Sequence, residues 1–207
     1  MDAPLVAVLD YGIGNLRSAQ KSLERVGADA PLTSDPGLVA DAAAVVLPGV
    51  GHFGSCARAV REHGLVDVAQ AAVDRGQPFL GICVGAQLMF DGSVEAPDEP
   101  GLGLLPGRIV RLPDGVKHPQ MQWNRLDLVR PDDPLVSGLP DESWMYFVHS
   151  FAPETDEVVA TCEYGGTVVA IAGRPGLWAC QFHPEKSSRD GLTLLRDFVE
   201  VAAGVAA

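Results

Sequence analysis

A cysteine between two glycines is the residue of this chain best suited to nucleophilic chemistry. Cys83 stands two residues after Gly81 and two before Gly85, between a short apolar run and a segment that can form a helix. This strand–turn–helix pattern is typical of a nucleophile elbow, with cysteine in the place of serine. Such a turn strains the backbone of the nucleophile and requires neighbours without a Cβ, and the start of the helix would favour the thiolate. The pattern predicts nucleophilic catalysis by Cys83; the alternative is a buried cysteine between packing glycines.

A histidine and a glutamate further along the chain could supply the base and its orienting acid. His183 and Glu185 flank Pro184 at the end of a strand-like run, residues 178–182. Residues two apart in extended backbone point to the same side, and the proline stiffens the pair. A carboxylate beside an imidazole fixes its tautomer and stabilises its protonated form, as in a nucleophile–base–acid triad. The alternative is a surface histidine near a solvated glutamate.

The composition favours one α/β domain and disfavours several other classes of protein. The chain has 207 residues, 47% of them hydrophobic, so we expect a single domain over residues 1–207. The net charge of -12 disfavours a nucleic-acid or anionic-membrane partner, and no apolar run reaches the roughly 18 residues of a membrane span. The start of the chain lacks the basic segment of a signal peptide, and the four cysteines show no Cys-x-x-Cys spacing. These features predict a cytoplasmic protein with reduced thiols and no metal site.

The first half of the chain alternates between strands and helices. Strands are expected at residues 5–9, 30–32 and 43–47 and in the run that leads into Cys83, and helices at residues 16–26, 53–62 and 66–75. Such alternation produces a mostly parallel sheet with helices on both faces. Right-handed crossovers place the loops that follow the strands at one edge of the sheet, where ligands bind. Residues 48–51 and Cys83 are therefore predicted to lie at the same edge.

The second half is expected to add antiparallel strands to this sheet. Short strand-like runs with hairpin-length turns cover residues 108–112, 121–129, 144–149, 157–162, 168–172 and 178–182. Residues 92–107 are rich in glycine, proline and acidic residues and are expected to form a loop. A final helix is expected over residues 188–203, with the terminal residues 204–207 frayed.

A pair of glycines after the first strand raises the alternative of a phosphate-binding loop. Gly12 and Gly14 precede the first expected helix. The third glycine of a dinucleotide-binding motif is missing, and no acidic residue follows at the spacing of that motif. Phosphate binding at this loop is therefore disfavoured.

The motifs around Cys83 and His183 resemble those of a known enzyme family. Residues 81–87 and 183–185 are similar to the class I, or triad, glutamine amidotransferases, and the resemblance covers essentially the whole chain. Further stretches, in the same order, look like the glutaminase subunit of imidazole glycerol phosphate synthase: residues 10–18, 48–51, 121–124, 146–151 and 183–187. The chain departs from the family at Gln122, where glycine is usual, and at Val84 and Ala86, where leucine and methionine are common. The resemblance implies a Rossmann-like (flavodoxin-like) α/β fold of three layers, with a mostly parallel sheet extended by antiparallel strands.

The resemblance also implies a catalytic triad. The Cys83 thiolate would attack the side-chain amide of glutamine, and His183 would protonate the leaving ammonia and then activate water against the thioester. Glu185 would orient His183. The oxyanion would be held by the backbone N–H of Val84 and by a second donor at the end of the third strand, with Val50 and Gly51 as the candidates. Gln87 would contact the amino-acid end of the substrate; the alternative for Gln87 is a polar residue on a helix surface.

Together, the residues that the resemblance assigns to the oxyanion hole and the glutamine pocket are Gly49, Val50, Gly51, Val84, Gln87, His149, Ser150 and Phe151. The remaining cysteines, Cys56, Cys162 and Cys180, lie outside the elbow and are expected in the core.

A partner subunit follows from the same resemblance. The ammonia would pass through a tunnel to a cyclase subunit, a (β/α)₈ barrel, in a heterodimer that makes imidazole glycerol phosphate and aminoimidazole carboxamide ribotide in histidine biosynthesis. No metal or organic cofactor is implied. The candidate interface residues are Asn15, Trp123, Tyr146 and Lys186, each of which could instead be an ordinary core or solvated residue. The alternatives are a glutaminase of pyridoxal phosphate synthesis and a catalytically silent scaffolding subunit.

Overall fold

A mixed eight-stranded sheet forms the centre of the structure, a computed structural model that describes residues 3–204. The strands, in chain order, are β1 (Val6–Leu9), β2 (Leu32–Thr33), β3 (Ala44–Gly49), β4 (Phe79–Cys83), β5 (Arg108–Arg111), β6 (Gln120–Arg125), β7 (Asp127–Leu128), β8 (Trp144–His149), β9 (Phe151–Glu154), β10 (Val158–Glu163), β11 (Thr167–Arg174) and β12 (Leu177–Cys180). The order of strands across the main sheet is β2-β1-β3-β4-β12-β11-β10-β7.

The half of the sheet from β2 to β12 is parallel. Each of β1, β3, β4 and β12 is buried along its whole length, as their continuous apolar runs require of strands covered on both faces. The order β2-β1-β3-β4-β12 is that of a flavodoxin-like sheet, whose strand order reverses between β1 and β3. The predicted flavodoxin-like α/β fold is therefore confirmed.

Helices flank this sheet. They are α1 (Leu16–Arg25), α2 (Pro36–Asp41), α3 (Phe53–Glu62), α4 (Leu65–Asp74), α5 (Val84–Leu88) and α6 (Ser188–Ala202). The helices α1 and α6 pack against each other, whereas α3 contacts both α4 and α5, and α4 contacts α2. The sequence predicted α1, α3, α4 and α6 to within one or two residues. It missed α2, whose six residues are too few to show a helical period, although Asp35 caps it and Pro36 starts it.

The antiparallel strands differ from the expectation in part. Strands β11, β10 and β7 extend the main sheet as predicted. The runs 108–112 and 144–149 do not join it, because β5 pairs with β9 and β6 pairs with β8 in two separate two-stranded sheets. The expected strand over 121–129 is divided at Leu126, since β6 pairs with β8 while β7 pairs with β10. Strand β9 was missed because it contains Pro153, which is tolerated only at an edge.

The expected loop over residues 92–107 contains no named strand or helix. Residues 205–207, which were predicted to fray, lie outside the described residues. Within residues 3–204, no helix combines the length and apolar character needed to cross a bilayer. In the same range, no cluster of three or more His, Cys, Asp or Glu side chains could hold a metal ion. Cys56, Cys162 and Cys180 are free thiols buried in the core.

Candidate active site

The backbone at Cys83 has the strained geometry of a nucleophile elbow. Cys83 is the last residue of β4 and directly precedes α5, with φ 55° and ψ -115°, a region that residues with a side chain rarely adopt. A Cβ on Gly81 would lie 2.6 Å from the Cα of Ala86, and a Cβ on Gly85 would lie 1.9 Å from the carbonyl oxygen of Leu47. Both glycines are therefore required for the close approach of α5 to the sheet at this turn.

His183 and Glu185 form a buried pair. Nδ1 of His183 lies 2.8 Å from Oε1 of Glu185, and each side chain is only 2% exposed, so the surface-histidine alternative is wrong. The side chains do not meet along an extended strand, as the spacing led us to expect. Strand β12 ends at Cys180, and residues Pro184–Lys186 form a 3₁₀ turn, which carries the carboxylate back beneath the imidazole.

The charge state of His183 is set by its two neighbours. Burial alone would lower the pKa of His183, but hydrogen bonding to Cys83 and Glu185 and the charges of both groups raise its pKa to about 9. At neutral pH the imidazole is therefore protonated and can donate a proton to a leaving group. Burial raises the pKa of the Cys56 and Cys180 thiols and raises that of Cys162 to about 11. These three thiols are thus protonated and poorly nucleophilic.

A pocket of about 560 Å³ opens where β1, β3, β4 and β12 reach their carboxyl ends. Such an edge is where ligands bind in open α/β sheets. The pocket brings together most of the site residues expected from the sequence: Val50, Gly51, Cys83, Val84, Gln87, His149, Ser150, Phe151 and His183. Gly49 does not line it, but pairs with Cys83 between β3 and β4. Gly51, with φ 93°, turns the chain away from the sheet beside the pocket.

Gln87, His149 and Phe151 are joined by hydrogen bonds at one wall of the pocket. Gln87 is 3% exposed, so the helix-surface alternative is wrong; its Nε2 donates to the carbonyl oxygen of Phe151 and to Oε1 of Gln181, each at 3.1 Å. Nδ1 of His149 lies 2.8 Å from the same carbonyl oxygen. Burial, together with the charge of His183, lowers the pKa of His149 to about 4, so His149 is neutral and Nδ1 carries the proton that is donated. Its Nε2 is buried without a partner among the described residues.

Four residues of the pocket wall were not expected from the sequence: Gly14, Glu95, Pro119 and Val148. Glu95 is the one acidic residue among the residues that line the pocket. Its Oε2 accepts a hydrogen bond from the backbone N–H of Phe53 at 2.8 Å, which fixes the carboxylate against the start of α3. Glu95 lies in the acidic loop 92–107, where nothing in the sequence distinguishes it from Asp98 or Glu99.

Comparison with known proteins places the chain in a family. Residues 7–202 match the family described as Glutamine amidotransferase class-I. Proteins named imidazole glycerol phosphate synthase subunit HisH are similar over nearly the full length of both chains. That of Synechococcus sp. (strain JA-3-3Ab) is 46% identical, with 98% of this chain and 96% of the relative covered. That of Thermosynechococcus vestitus is 48% identical, with 96% and 98% covered.

The chain belongs to the class I glutamine amidotransferases and, within them, to the HisH family. Solved structures agree at the level of the fold. A crystal structure of a glutamine amidotransferase superposes with a TM-score of 0.76 at 24% identity, covering 96% of this chain and 98% of that one. The structure of PurLQS from Thermotoga maritima superposes with a TM-score of 0.79 at 21% identity, covering 96% and 99%.

An exposed apolar surface borders the pocket of this glutamine amidotransferase. Pairing of β6 with β8 places Met121 opposite Val148, Trp123 opposite Tyr146 and Arg125 opposite Trp144. We call the apolar members of these pairs the β6–β8 face. Met121, Trp123 and Trp144 are 58%, 46% and 48% exposed, and Val148 also lines the pocket. Exposed aromatic and methionine side chains of this kind are typical of protein interfaces.

The other residues expected at an interface lie near this face. Asn15 and Lys186 both line the pocket. The rings of Trp123 and Tyr146 lie 6.1 Å apart across the two strands. Gln122 is exposed and lies within β6, opposite Phe147. Successive residues of a strand point to opposite sides, which directs Gln122 away from the β6–β8 face.

Proposed function

We propose that this chain is the glutaminase subunit of imidazole glycerol phosphate synthase and that residues 1–207 act as one glutaminase domain. It hydrolyses glutamine to glutamate and ammonia for histidine biosynthesis in the cytoplasm. The observation that supports this function most strongly is the buried His183–Glu185 pair at 2.8 Å, with His183 and Cys83 lining the same pocket. The names of the relatives favour this function over a glutaminase of pyridoxal phosphate synthesis.

The chemistry follows from the charge states of the triad. The sulfur of Cys83 attacks the amide carbon of glutamine as the thiolate, with the imidazole of His183 in the same pocket. His183 then donates its proton to the departing nitrogen, so that ammonia leaves and a thioester remains on Cys83. The neutral imidazole next takes a proton from water, and the resulting hydroxide hydrolyses the thioester. Glu185 keeps Nδ1 as the donor to itself and thereby directs Nε2 towards the reacting atoms.

Two backbone N–H groups would hold the oxyanion. The residue after the nucleophile supplies one donor in an elbow, and here that residue is Val84. The second donor comes from residues Gly49 to Gly51, at the end of β3, since Gly49 pairs with Cys83 and both Val50 and Gly51 line the pocket. A preorganised donor of this kind is worth about 3 kcal/mol in the transition state.

Glu95 gives the pocket a means to select an amino acid. Its carboxylate is held by the N–H of Phe53 and lines the same cavity as Cys83. A fixed negative charge there would pair with the α-ammonium group of glutamine. Gln87, Ser150 and the backbone around Phe151 would contact the rest of the amino-acid end. The cavity of about 560 Å³ has the size of a small-molecule site.

The β6–β8 face would bind the cyclase subunit, which we propose to be a (β/α)₈ barrel in a heterodimer. The face is apolar, exposed and continuous with the pocket through Val148. A partner seated on it would cover the mouth of the pocket, so ammonia released at Cys83 would pass into the partner rather than into solvent. Lys186 and Asn15 at the mouth would contact the polar rim of that interface.

Glutamate release with and without the cyclase subunit tests the function. Wild-type protein should release glutamate in the presence of the partner, and Cys83→Ala should release none. The matched control is Cys162→Ala, which removes a buried thiol outside the pocket and should retain turnover. Cyclase product formed from free ammonia with the Cys83→Ala protein would show that the mutant still assembles. Glutamine hydrolysis that persists in Cys83→Ala would contradict the proposed function.

A further inference from the structure

Two buried side chains outside the triad contact the chain at the end of β3. The hydroxyl of Tyr11 donates a hydrogen bond to the carbonyl oxygen of Pro48 at 2.7 Å. The thiol of Cys56 donates to the carbonyl oxygen of Val50 at 3.3 Å. Tyr11 follows β1 and Cys56 lies in α3, so the two groups reach the same short segment from different elements. Both residues are fully buried in the core.

Both groups are donors at any pH at which the protein works. Burial is the main cause that raises the pKa of the Tyr11 hydroxyl and of the Cys56 thiol, so each keeps its proton. Their protons are therefore available to the carbonyl oxygens of Pro48 and Val50, and neither group acts as a second nucleophile.

A carbonyl oxygen that is held by a hydrogen bond fixes the direction of the N–H of the following residue, because the peptide unit that joins them is planar and trans. The bond from Tyr11 thus fixes the peptide between Pro48 and Gly49. The bond from Cys56 fixes the peptide between Val50 and Gly51 and directs the Gly51 N–H away from α3.

The segment held in this way lies directly beside the nucleophile. Gly49 pairs with Cys83, and a Cβ on Gly49 would lie 2.7 Å from the Tyr11 hydroxyl oxygen and 2.5 Å from the backbone nitrogen of Gly85. The absence of a side chain therefore lets the Tyr11 hydroxyl and the elbow approach this residue closely.

We propose that Tyr11 and Cys56 are positioning residues for the oxyanion hole: they hold the carbonyl oxygens of Pro48 and Val50 and thereby position the peptides at the end of β3 that carry the second donor. This inference rests on the proposed glutaminase function. Neither side chain touches the substrate. Each acts through the backbone that would stabilise the oxyanion, so its loss should reduce kcat and leave the KM for glutamine unchanged.

Three variants test this in the complex with the cyclase subunit. Cys56→Ala removes the donor to Val50, Cys56→Ser restores a donor of similar size, and Tyr11→Phe removes only the hydroxyl. Outright loss of an oxyanion donor costs about 10²–10³ in rate, so a donor that is merely misplaced should cost about tenfold. We expect kcat for glutamine hydrolysis to fall about tenfold in Cys56→Ala and Tyr11→Phe, and to recover in Cys56→Ser, with KM constant.

A second readout separates a misplaced donor from a damaged nucleophile. Alkylation of Cys83 by iodoacetamide forms no oxyanion, so its rate, followed by mass spectrometry, should be the same in all three variants and in wild type. The packing control is Cys162→Ala, which removes a buried thiol remote from β3 and should keep the wild-type kcat. If Cys56→Ala does not fold, Tyr11→Phe, which keeps the ring, decides the question.

The outcomes distinguish this inference from the proposed function. If Cys56→Ala and Tyr11→Phe both kept the wild-type kcat while Cys83→Ala was inactive, the positioning role would be overturned and the glutaminase function would stand. Equal losses in Cys56→Ala, Cys56→Ser and Cys162→Ala would also overturn it, because packing would then explain the effect. Absence of glutamine hydrolysis in the wild-type complex would instead overturn the glutaminase function.

Discussion

His183 and Glu185 are joined at 2.8 Å through Nδ1 and Oε1, and both side chains are withdrawn from solvent. The second carboxylate oxygen of Glu185 is buried and has no partner among the described residues. Water therefore screens this contact little, and the negative charge of Glu185 acts mainly on the imidazole. The pair keeps a proton on His183 at neutral pH in spite of a burial that would favour the neutral ring.

Substitution of Glu185→Gln should move the alkaline limb of the glutaminase pH profile. The pKa of His183 is raised to about 9, so the protonated form that ammonia departure needs is present below that pH and lost above it. Without the charge of Glu185 the pKa falls, and the limb of kcat/KM should shift to lower pH. Turnover should fall less than in Cys83→Ala, because Glu185 forms no bond to substrate. The profiles should be measured with the cyclase subunit present. If the alkaline limb of Glu185→Gln stayed at the wild-type pH, Glu185 would have no orienting role.

Labelling should single out Cys83 among the four cysteines. Cys83 lines the open pocket, whereas Cys56, Cys162 and Cys180 are buried and protonated because burial raises the pKa of each thiol. A chloroketone analogue of glutamine should therefore modify Cys83 alone, as read by mass spectrometry of its peptides. Added glutamine should slow the reaction, since it competes for the same pocket. Equal modification of all four thiols in the folded protein would be incompatible with this site.

The strained backbone at Cys83 should cost stability. With φ 55° and ψ -115°, the position disfavours any residue that carries a Cβ, and such strain costs on the order of 1–3 kcal/mol. Glycine loses more conformational entropy on folding, which offsets part of the gain. The free energy of unfolding, measured by urea denaturation, should therefore be about 1 kcal/mol higher for Cys83→Gly than for Cys83→Ala. Equal stability of the two variants would mean that the elbow stores no strain.

The sequence predicted the elements whose signals are local. Continuous apolar runs identified the parallel strands, and the glycines at 81 and 85 identified the elbow, because a steric requirement is visible in the residue type. Pairing between distant segments was not visible. The run 121–129 reads as one strand, yet its two parts pair with β8 and β10, which lie in different sheets. Which sheet a short strand joins depends on packing that single-strand periodicity does not encode.

The way in which His183 and Glu185 meet could not be predicted from their spacing either. The spacing of His183 and Glu185 predicted that they would meet, but through extended backbone, and a 3₁₀ turn is what brings them together. Glu95 was invisible because its place in the pocket depends on a hydrogen bond to the N–H of Phe53, 42 residues away in sequence. A carboxylate in an acidic loop gives no local signal of such a contact.

Glu95→Gln should weaken glutamine binding selectively. The substitution keeps an acceptor for the N–H of Phe53 and removes the charge that would pair with the substrate ammonium. A lost charge-assisted contact is worth about 1.5–3 kcal/mol, so KM should rise about 10- to 100-fold with little change in kcat. The matched control is Glu99→Gln in the same loop, whose carboxylate pairs with Arg58 and Arg61. A KM unchanged in Glu95→Gln would remove Glu95 from the binding site.

Trp123→Ala should weaken assembly with the cyclase subunit without harming the triad. Trp123 is 46% exposed at the centre of the β6–β8 face, where its ring lies 6.1 Å from that of Tyr146. Buried tryptophans at interface centres often contribute about 2 kcal/mol or more, so the dissociation constant should rise at least about tenfold. The control is Val129→Ala, another exposed apolar residue, which lies outside β6 and β8 and should bind normally.

Titration of the partner then separates binding from catalysis. Because Trp123 lies outside the pocket walls, glutamine hydrolysis by Trp123→Ala should be low at limiting cyclase and recover when the partner is raised to saturation. If the partner binds this face, Cys83 should also be alkylated as fast in the isolated Trp123→Ala protein as in the isolated wild type. Unchanged affinity in calorimetry would show that the partner binds elsewhere on the molecule. Activity that stays low at saturating partner would instead mean that Trp123 transmits activation to the oxyanion donors as well as contributing to affinity.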